Sequence, residues 1–151
     1  MTQSTGGPPK SGFARMAPEI LVSDFETSLR FWRDLLGFAV AYARPDDRFA
    51  YLDRDGAQIM LCERWGEWET GPLDRPFGRG VMFQVYVDAI GPVLERLEAA
   101  RWPLHTGVRE VWRDCGNRQI GQREFFVQDP DGYLLMVAED LDDRPRPKTG
   151  G

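Results

Sequence analysis

Four glutamates stand at strand-like positions: Glu19, Glu63, Glu124 and Glu139. Each could act as a general base if burial raised its pKa. The other reactive types are sparse. The single histidine, His105, lies beside Pro103-Leu104, and one imidazole does not make a metal site, which needs several convergent ligands. Cys62 and Cys115 show no CxxC spacing and are too few for a disulfide framework, so they read as free thiols in a reducing compartment. Aromatic recognition is better supplied. Trp65 and Trp68 lie in a polar loop, Phe49 and Tyr51 in a strand, and Trp112 among Arg109, Glu110, Arg113 and Asp114. Such rings stack on planar groups and attract cations, with Glu19 and Glu124 as countercharge. For the two loop tryptophans, packing under the loop is favoured over forming a binding wall.

The elements that position these residues occur twice. Asp131-Gly132-Tyr133-Leu134-Leu135-Met136-Val137-Ala138-Glu139 is echoed by Asp55-Gly56-Ala57-Gln58-Ile59-Met60-Leu61-Cys62-Glu63, with Asp, Gly, Met and Glu in step. Asp-Gly supplies positive φ in a tight two-residue turn, so Phe49 to Asp53 turns back into Gln58 to Glu63, and Glu124 to Gln128 into Tyr133 to Glu139. Each hairpin follows a strand and a helix. Pro18 to Val22 is the first strand; Ser23-Asp24-Phe25-Glu26 has capping-box spacing with Ser23 as cap; Phe25, Leu29, Trp32 and Leu36 recur at helical spacing up to Gly37. Phe38 to Ala43 is the next strand. In the second half, Val81 to Val87 is a strand, Asp88 the expected N-cap, and Ile90, Val93, Leu94 and Leu97 the buried helix stripe, with Pro92 in the first turn. Trp102-Pro103-Leu104 then opens a strand, and Gly107 to Asn117 has no assigned partner.

Composition limits the function classes. The chain has 151 residues, 42% hydrophobic and 28% charged, enough for one domain or two small halves. No apolar run is long enough to span a bilayer and the N-terminus lacks signal-peptide order, so a cytoplasmic location and no membrane partner are expected. A net charge of −5 argues against a nucleic-acid partner, which needs clustered Lys and Arg. Residues 1–16 are polar and rich in Gly, Pro and Ser and are expected to be a disordered arm, as is the tail 142–151. Between them, 17–141 form the domain: modules 17–64 and 80–141, joined by a linker over 65–79.

The opening VSDxxxSLxFWRDLLGF from Val22 to Phe38 and REFxxxDPDG from Arg123 to Gly132 resemble the glyoxalase/bleomycin-resistance/dioxygenase (vicinal oxygen chelate) superfamily. The resemblance implies an α+β fold of two βαβββ modules forming an incomplete barrel around a concave cleft, usually as a homodimer. It also implies a divalent-metal site at four strand positions, which fall here on Ala17, Met60, Met82 and Met136. None suits a hard or borderline cation, so no metal or other cofactor is expected. Alternation then puts Glu19, Leu21, Gln58, Cys62, Gln84, Tyr86, Leu134 and Ala138 on the cleft face with them. The closest resemblance is to the metal-free bleomycin-resistance branch, which sequesters a cationic, planar-ringed drug without chemistry. One departure is the Gly121-Gln122 pair where those proteins often carry Trp-Gly. The expected function is therefore binding of a bleomycin-like or other aromatic cation through Glu19, Phe49, Tyr51, Met60, Trp65, Tyr86, Trp112, Glu124 and Met136, with no catalytic residue. The alternative is a glyoxalase- or dioxygenase-like lyase or oxidoreductase.

Overall fold

The computed structural model describes residues 3–149. It divides the chain into two compact units, Met1–Gly80 with Asp129–Tyr133, and Val81–Gln128 with Leu134–Gly151. The first unit holds β1 (Thr5–Gly6), β2 (Glu19–Val22), α1 (Phe25–Arg30, continued by a π-helical turn over Phe31–Leu35), β3 (Ala39–Arg44), β4 (Phe49–Arg54) and β5 (Ala57–Glu63). The second holds β6 (Met82–Tyr86), α2 (Gly91–Ala99), β7 (Thr106–Cys115), β8 (Arg118–Gln128) and β9 (Leu134–Pro145). Sheet A has the order β1-β3-β4-β5-β2 and sheet B the order β6-β9-β8-β7. Without β1, both are the same open βαβββ sheet, with one parallel pair: β2 with β5, and β6 with β9.

The repeated glutamate has a structural reason. Glu63 Oε2 accepts from the Phe25 amide at 3.0 Å and Glu139 Oε2 from the Ile90 amide at 3.3 Å. The returning strand of each hairpin thus carries a carboxylate that satisfies an otherwise orphaned amide where its module's helix begins. Two of the four candidate bases are therefore helix-start acceptors. The sequence-predicted caps move accordingly. Asp24, not Ser23, caps α1 by accepting from Thr27 N at 2.8 Å, while Ser23 donates its amide and hydroxyl to Asp131 at 2.9 and 2.5 Å. In the second module Ile90, not Asp88, is the cap residue. The predicted stripe of Phe25, Leu29, Trp32 and Leu36 is buried. Phe31 joins it: the wide π turn, closed by Leu36 N to Phe31 O at 3.1 Å, accompanies burial of the adjacent Phe31 and Trp32 together.

The two Asp-Gly turns differ. Asp55 and Gly56 both have positive φ, 51° and 95°, the tight two-residue form, between Arg54 and its partner Ala57. The second turn is wider, since Gln128 pairs with Leu134. Asp129 organises it: its Oδ1 accepts from the amides of Asp131 and Tyr133 at 3.0 and 2.9 Å, and its Oδ2 from Trp32 Nε1 at 3.2 Å. Asp131 is held by Ser23 and by Arg75 at 2.9 Å. The loop belongs to the first unit because these side chains reach into it.

Three further expectations change. Residues 3–15 have a placed course: β1 pairs with β3, with Gly6 opposite Tyr42. Gly6 has φ +84°, and a Cβ there would meet Ala41 O at 2.2 Å. The tail is ordered as strand through Pro145, with Arg118 and Pro145 paired; Gly150 and Gly151 lie outside the described residues. Trp102-Pro103-Leu104 precedes β7 rather than opening it, and Trp102 Nε1 donates to Gln128 O at 2.9 Å.

Burial pushes the Asp129 carboxyl up to about 6, against the hydrogen bonds from Tyr133 and Trp32. A carboxyl pKa raised on folding contributes stability that is complete below the ordinary aspartate range and is lost as pH rises through the folded value. Asp129→Asn is therefore expected to remove one component of the urea-unfolding pH profile. Relative to the variant, the wild type should lose at most about 3 kcal/mol between roughly pH 4 and 6, at about 1.4 kcal/mol per unit. A wild-type-minus-variant difference that is flat with pH would refute this. Separately, Gly121→Val should destabilise by about 1–3 kcal/mol in thermal unfolding by overpacking, because a Cβ there would lie 2.6 Å from the Trp112 ring, whereas Gly71→Ala, with nothing within 4 Å, should be near neutral.

Candidate functional site

Sheet A has two unlike faces. Ile20, Val22, Ala50, Leu52, Ile59 and Leu61 are buried on one. The other carries Leu21, Phe49, Tyr51 and Cys62, with Ala17, Ala41, Tyr42, Met60 and Leu73 packed against them. Register puts Tyr51 across from Met60 and Met60 across from Glu19, and Phe49 across from Cys62. This is the face on which alternation places the predicted residues.

At one end of it opens a cavity of about 430 Å³, lined by Glu19, Arg44, Asp47, Phe49 and Cys62 from the sheet and its turn, and by Trp65 and Trp68 from the following loop. That volume is in the range of small-molecule sites. Both tryptophans are more than half exposed, 58% and 54%, so the expectation that they pack under their loop does not hold; they wall the cavity. Arg44 lies over the Phe49 ring at 3.8 Å and donates to Asp47 Oδ2 at 3.2 Å. With Glu19 also present, one guanidinium stands against two carboxylates, and the cavity is net anionic. Burial pushes the Glu19 carboxyl up, with Arg44 opposing. Burial likewise raises the Cys62 thiol, reinforced by Glu19 and opposed by a hydrogen bond with Trp65, so Cys62 is an apolar lining atom rather than a nucleophile. Arg44 and Asp47 were not among the sequence-predicted residues, and Trp68 was weighed there as a wall only beside Trp65. Arg44 and Asp47 flank the turn before Phe49 and could have been found from that adjacency.

Farther along the same face, Tyr51 is stacked on Tyr42 at 5.2 Å and 15°, and its hydroxyl donates to Gln58 Oε1. Five of the predicted residues thus share this surface: Glu19, Phe49, Tyr51, Met60 and Trp65.

In sheet B the remaining four separate. Glu124 is fully buried beneath two half-exposed arginines, taking Arg113 Nη1 and Nη2 at 3.0 and 2.6 Å and Arg109 Nε at 3.1 Å. The Arg113 hydrogen bonds hold its carboxyl below the usual glutamate range, against burial and with Arg109 adding. The stability from that depression is present above the unfolded value and lost as pH falls through the folded one. Glu124 is thus neutralised and the surface above it is net cationic, the reverse of the cation-attracting role expected from sequence. Arg113 also donates to Gln122 Oε1 at 2.9 Å, and Gln122 Nε2 donates to the hydroxyl of half-exposed Tyr86. Met136 is buried across from Gln84. Trp112 is on the opposite face, because its neighbours in alternation, Arg113 and the more distant Arg109, are those that reach Glu124. Its indole N–H donates to Glu110 Oε1 at 3.0 Å, Arg144 covers its ring at 4.0 Å, and Gly121 lies beneath it. It is packed rather than offered to a ligand.

The donor set does not fit a divalent ion. Ala17 has no donor, the thioethers of Met60, Met82 and Met136 are soft, and among the described residues no three His, Cys, Asp or Glu converge. Glu19, beside Met60, is a single carboxylate and makes no chelating set by itself. No helix among the described residues is long and apolar enough to cross a membrane.

Comparison places this architecture among known proteins. No curated protein matches the chain. A superfamily member from Vibrio splendidus 12B01 is similar at 35% identity over 82% of this chain and 95% of its own, with a TM-score of 0.38. Lactoylglutathione lyase from Agrobacterium tumefaciens is similar at 19% identity, 87% and 95% coverage and a TM-score of 0.55. TioX from Micromonospora sp. ML1 is similar at 20% identity, 85% and 100% coverage and a TM-score of 0.61. The last two share the fold alone. The family model described as Glyoxalase/Bleomycin resistance protein/Dioxygenase superfamily matches residues 13–137, most of the chain, and the chain belongs to that superfamily.

Proposed function

We propose that this protein is a binding protein of the bleomycin-resistance type, which sequesters an aromatic, cationic small molecule in the sheet A cavity without chemistry. The observation that carries this reading is the cavity itself: two exposed tryptophans over a floor that holds Glu19 and is net anionic. Indole faces stack on planar rings and favour cations. The ligand positions of the superfamily's metal, filled by Ala17, Met60, Met82 and Met136, speak for binding over Lewis-acid catalysis. In this reading Met60 and Tyr51 extend the apolar floor. Tyr86, Glu124 and Met136 belong to a separate surface of sheet B, and Trp112 takes no part. The reading extends to a cytoplasmic homodimer, whose mass sedimentation would give.

Titration with bleomycin, and with ethidium as a simpler planar cation, is expected to quench tryptophan fluorescence saturably. Trp65→Ala and Trp68→Ala should each weaken binding roughly three- to tenfold, the equivalent of about 0.5–1.5 kcal/mol per aromatic contact. Wild-type affinity for the cation should fall as Glu19 is protonated, at a pH above the usual glutamate range because its pKa is raised, while Glu19→Gln should bind weakly and without that pH dependence. Absence of quenching by either compound, or equal affinity of Glu19→Gln, would count against the proposal. The glyoxalase- or dioxygenase-like alternative makes the opposite forecast for metal analysis. The purified protein is expected to carry no stoichiometric Ni, Zn, Fe or Mn after dialysis, and a retained equivalent of any of them would favour the enzyme.

A further inference from the structure

The far end of the same sheet A face is covered by the chain's own residues 11–14, and the way it is covered is informative. Gln58, Asp53 and Tyr51 are polar groups almost wholly buried, at 8%, 8% and 4% exposure. The Gln58 carboxamide meets the arm's main chain at two points, donating to Gly12 O at 2.6 Å and accepting from the Ala14 amide at 2.8 Å. That is the donor–acceptor pair a neighbouring strand would offer an extended chain. Ser11 Oγ donates to Asp53 Oδ2 at 3.0 Å. Phe13 sets its ring edge on Tyr42 and Tyr51, at 6.4 and 5.5 Å between centroids.

Residues 11–14 themselves bury little. Phe13 is 59% exposed, so apolar burial contributes little to holding this stretch, and the polar groups beneath are what gain partners. With the arm in place these groups are withdrawn from water, and a chain that covers them without offering a matching donor and acceptor would leave a buried carboxamide and carboxylate unpaired.

We infer that the end of the face formed by Tyr42, Tyr51, Asp53 and Gln58 is a second subsite, one that takes an extended secondary-amide chain with an adjacent hydroxyl, and that residues 11–14 are its intramolecular occupant. The inference deepens the reading of this face as the ligand-binding surface. A ligand with a peptide-like extension would displace the arm and gain the Gln58 pair, whereas a compact aromatic would leave the arm in place as the wall that ends the site. Phe13 marks the boundary, because Tyr42 and Tyr51, which it touches, lie next to Phe49 of the cavity.

The test follows the Gln58 side-chain NH₂ signals by ¹⁵N NMR in the full-length protein. Phe13→Ala/Ala14→Pro removes the ring contact and the amide that Gln58 accepts from, and should shift those signals. An unlabelled peptide with the sequence of residues 9–15 should return them toward their wild-type positions. The same peptide carrying the Ala14→Pro change should not. Gln58 signals that the double variant leaves unmoved, or that the peptide fails to return, would overturn the inference. Quenching of Trp65 and Trp68 by an aromatic cation is read separately, so failure of the proposed function and failure of this subsite give different results.

Discussion

Each module is closed by one hydrogen bond that ties its last strand to the start of its helix. Glu63 accepts from Phe25, and Glu139 from Ile90. Because the glutamate-bearing strand runs parallel to the module's first strand, the glutamate at the end of that parallel pairing lies beside the turn into the helix. An acceptor there satisfies an amide the helix cannot, and its charge suits the helix's positive end. A parallel pair also requires a crossover, and the helix is that crossover. The helix can then cover one face of the sheet and leave the other open.

That open face is where the ligand chemistry gathers in the first unit. The strands alternate apolar core positions with a second set of mixed character: Phe49, Tyr51, Met60, Cys62 and Glu19. Two tryptophans from the loop after β5 stand over this set. Two of the positions that the resemblance gives to the superfamily's metal, Ala17 and Met60, fall on this face, and here they hold a methyl group and a thioether. The residues of the face favour van der Waals and stacking contact over coordination. In the second unit the corresponding surface is organised around a buried carboxylate under two guanidiniums, so the two modules carry opposite local charge on that surface.

The duplicated hairpins, the strand–helix order and the buried helix stripes were all legible in the sequence. Those features depend on local turn chemistry and side-chain period, which neighbouring residues suffice to set. Glu19, Phe49 and Trp65 could be placed together because strand alternation and chain proximity point the same way. The reading failed where partners are distant in sequence. Ser23 has the spacing of a cap but is bound by Asp131, and Asp24 takes the cap. The second Asp-Gly opens a wider loop than the first because Asp129 bonds to Trp32 and to the loop's own amides. Trp112 stands among charges because Arg144 and Gly121 sandwich it, not because it awaits a ligand.

By itself, then, the sequence determined the module, its repetition and the chemistry its faces can offer, since periodicity and residue type carry that information without long-range partners. Only the tertiary structure decided which charges stay uncompensated. Glu19 and Glu124 look alike as strand carboxylates, yet one shares a cavity with a single arginine and another acid, while the other is neutralised by Arg109 and Arg113. The polar N-terminal arm reads as disordered because it lacks apolar residues with a period, and it acquires a place through partners distant in sequence: β3, which pairs with β1, and Gln58 and Asp53, more than forty residues away, which hydrogen-bond to residues 11–14.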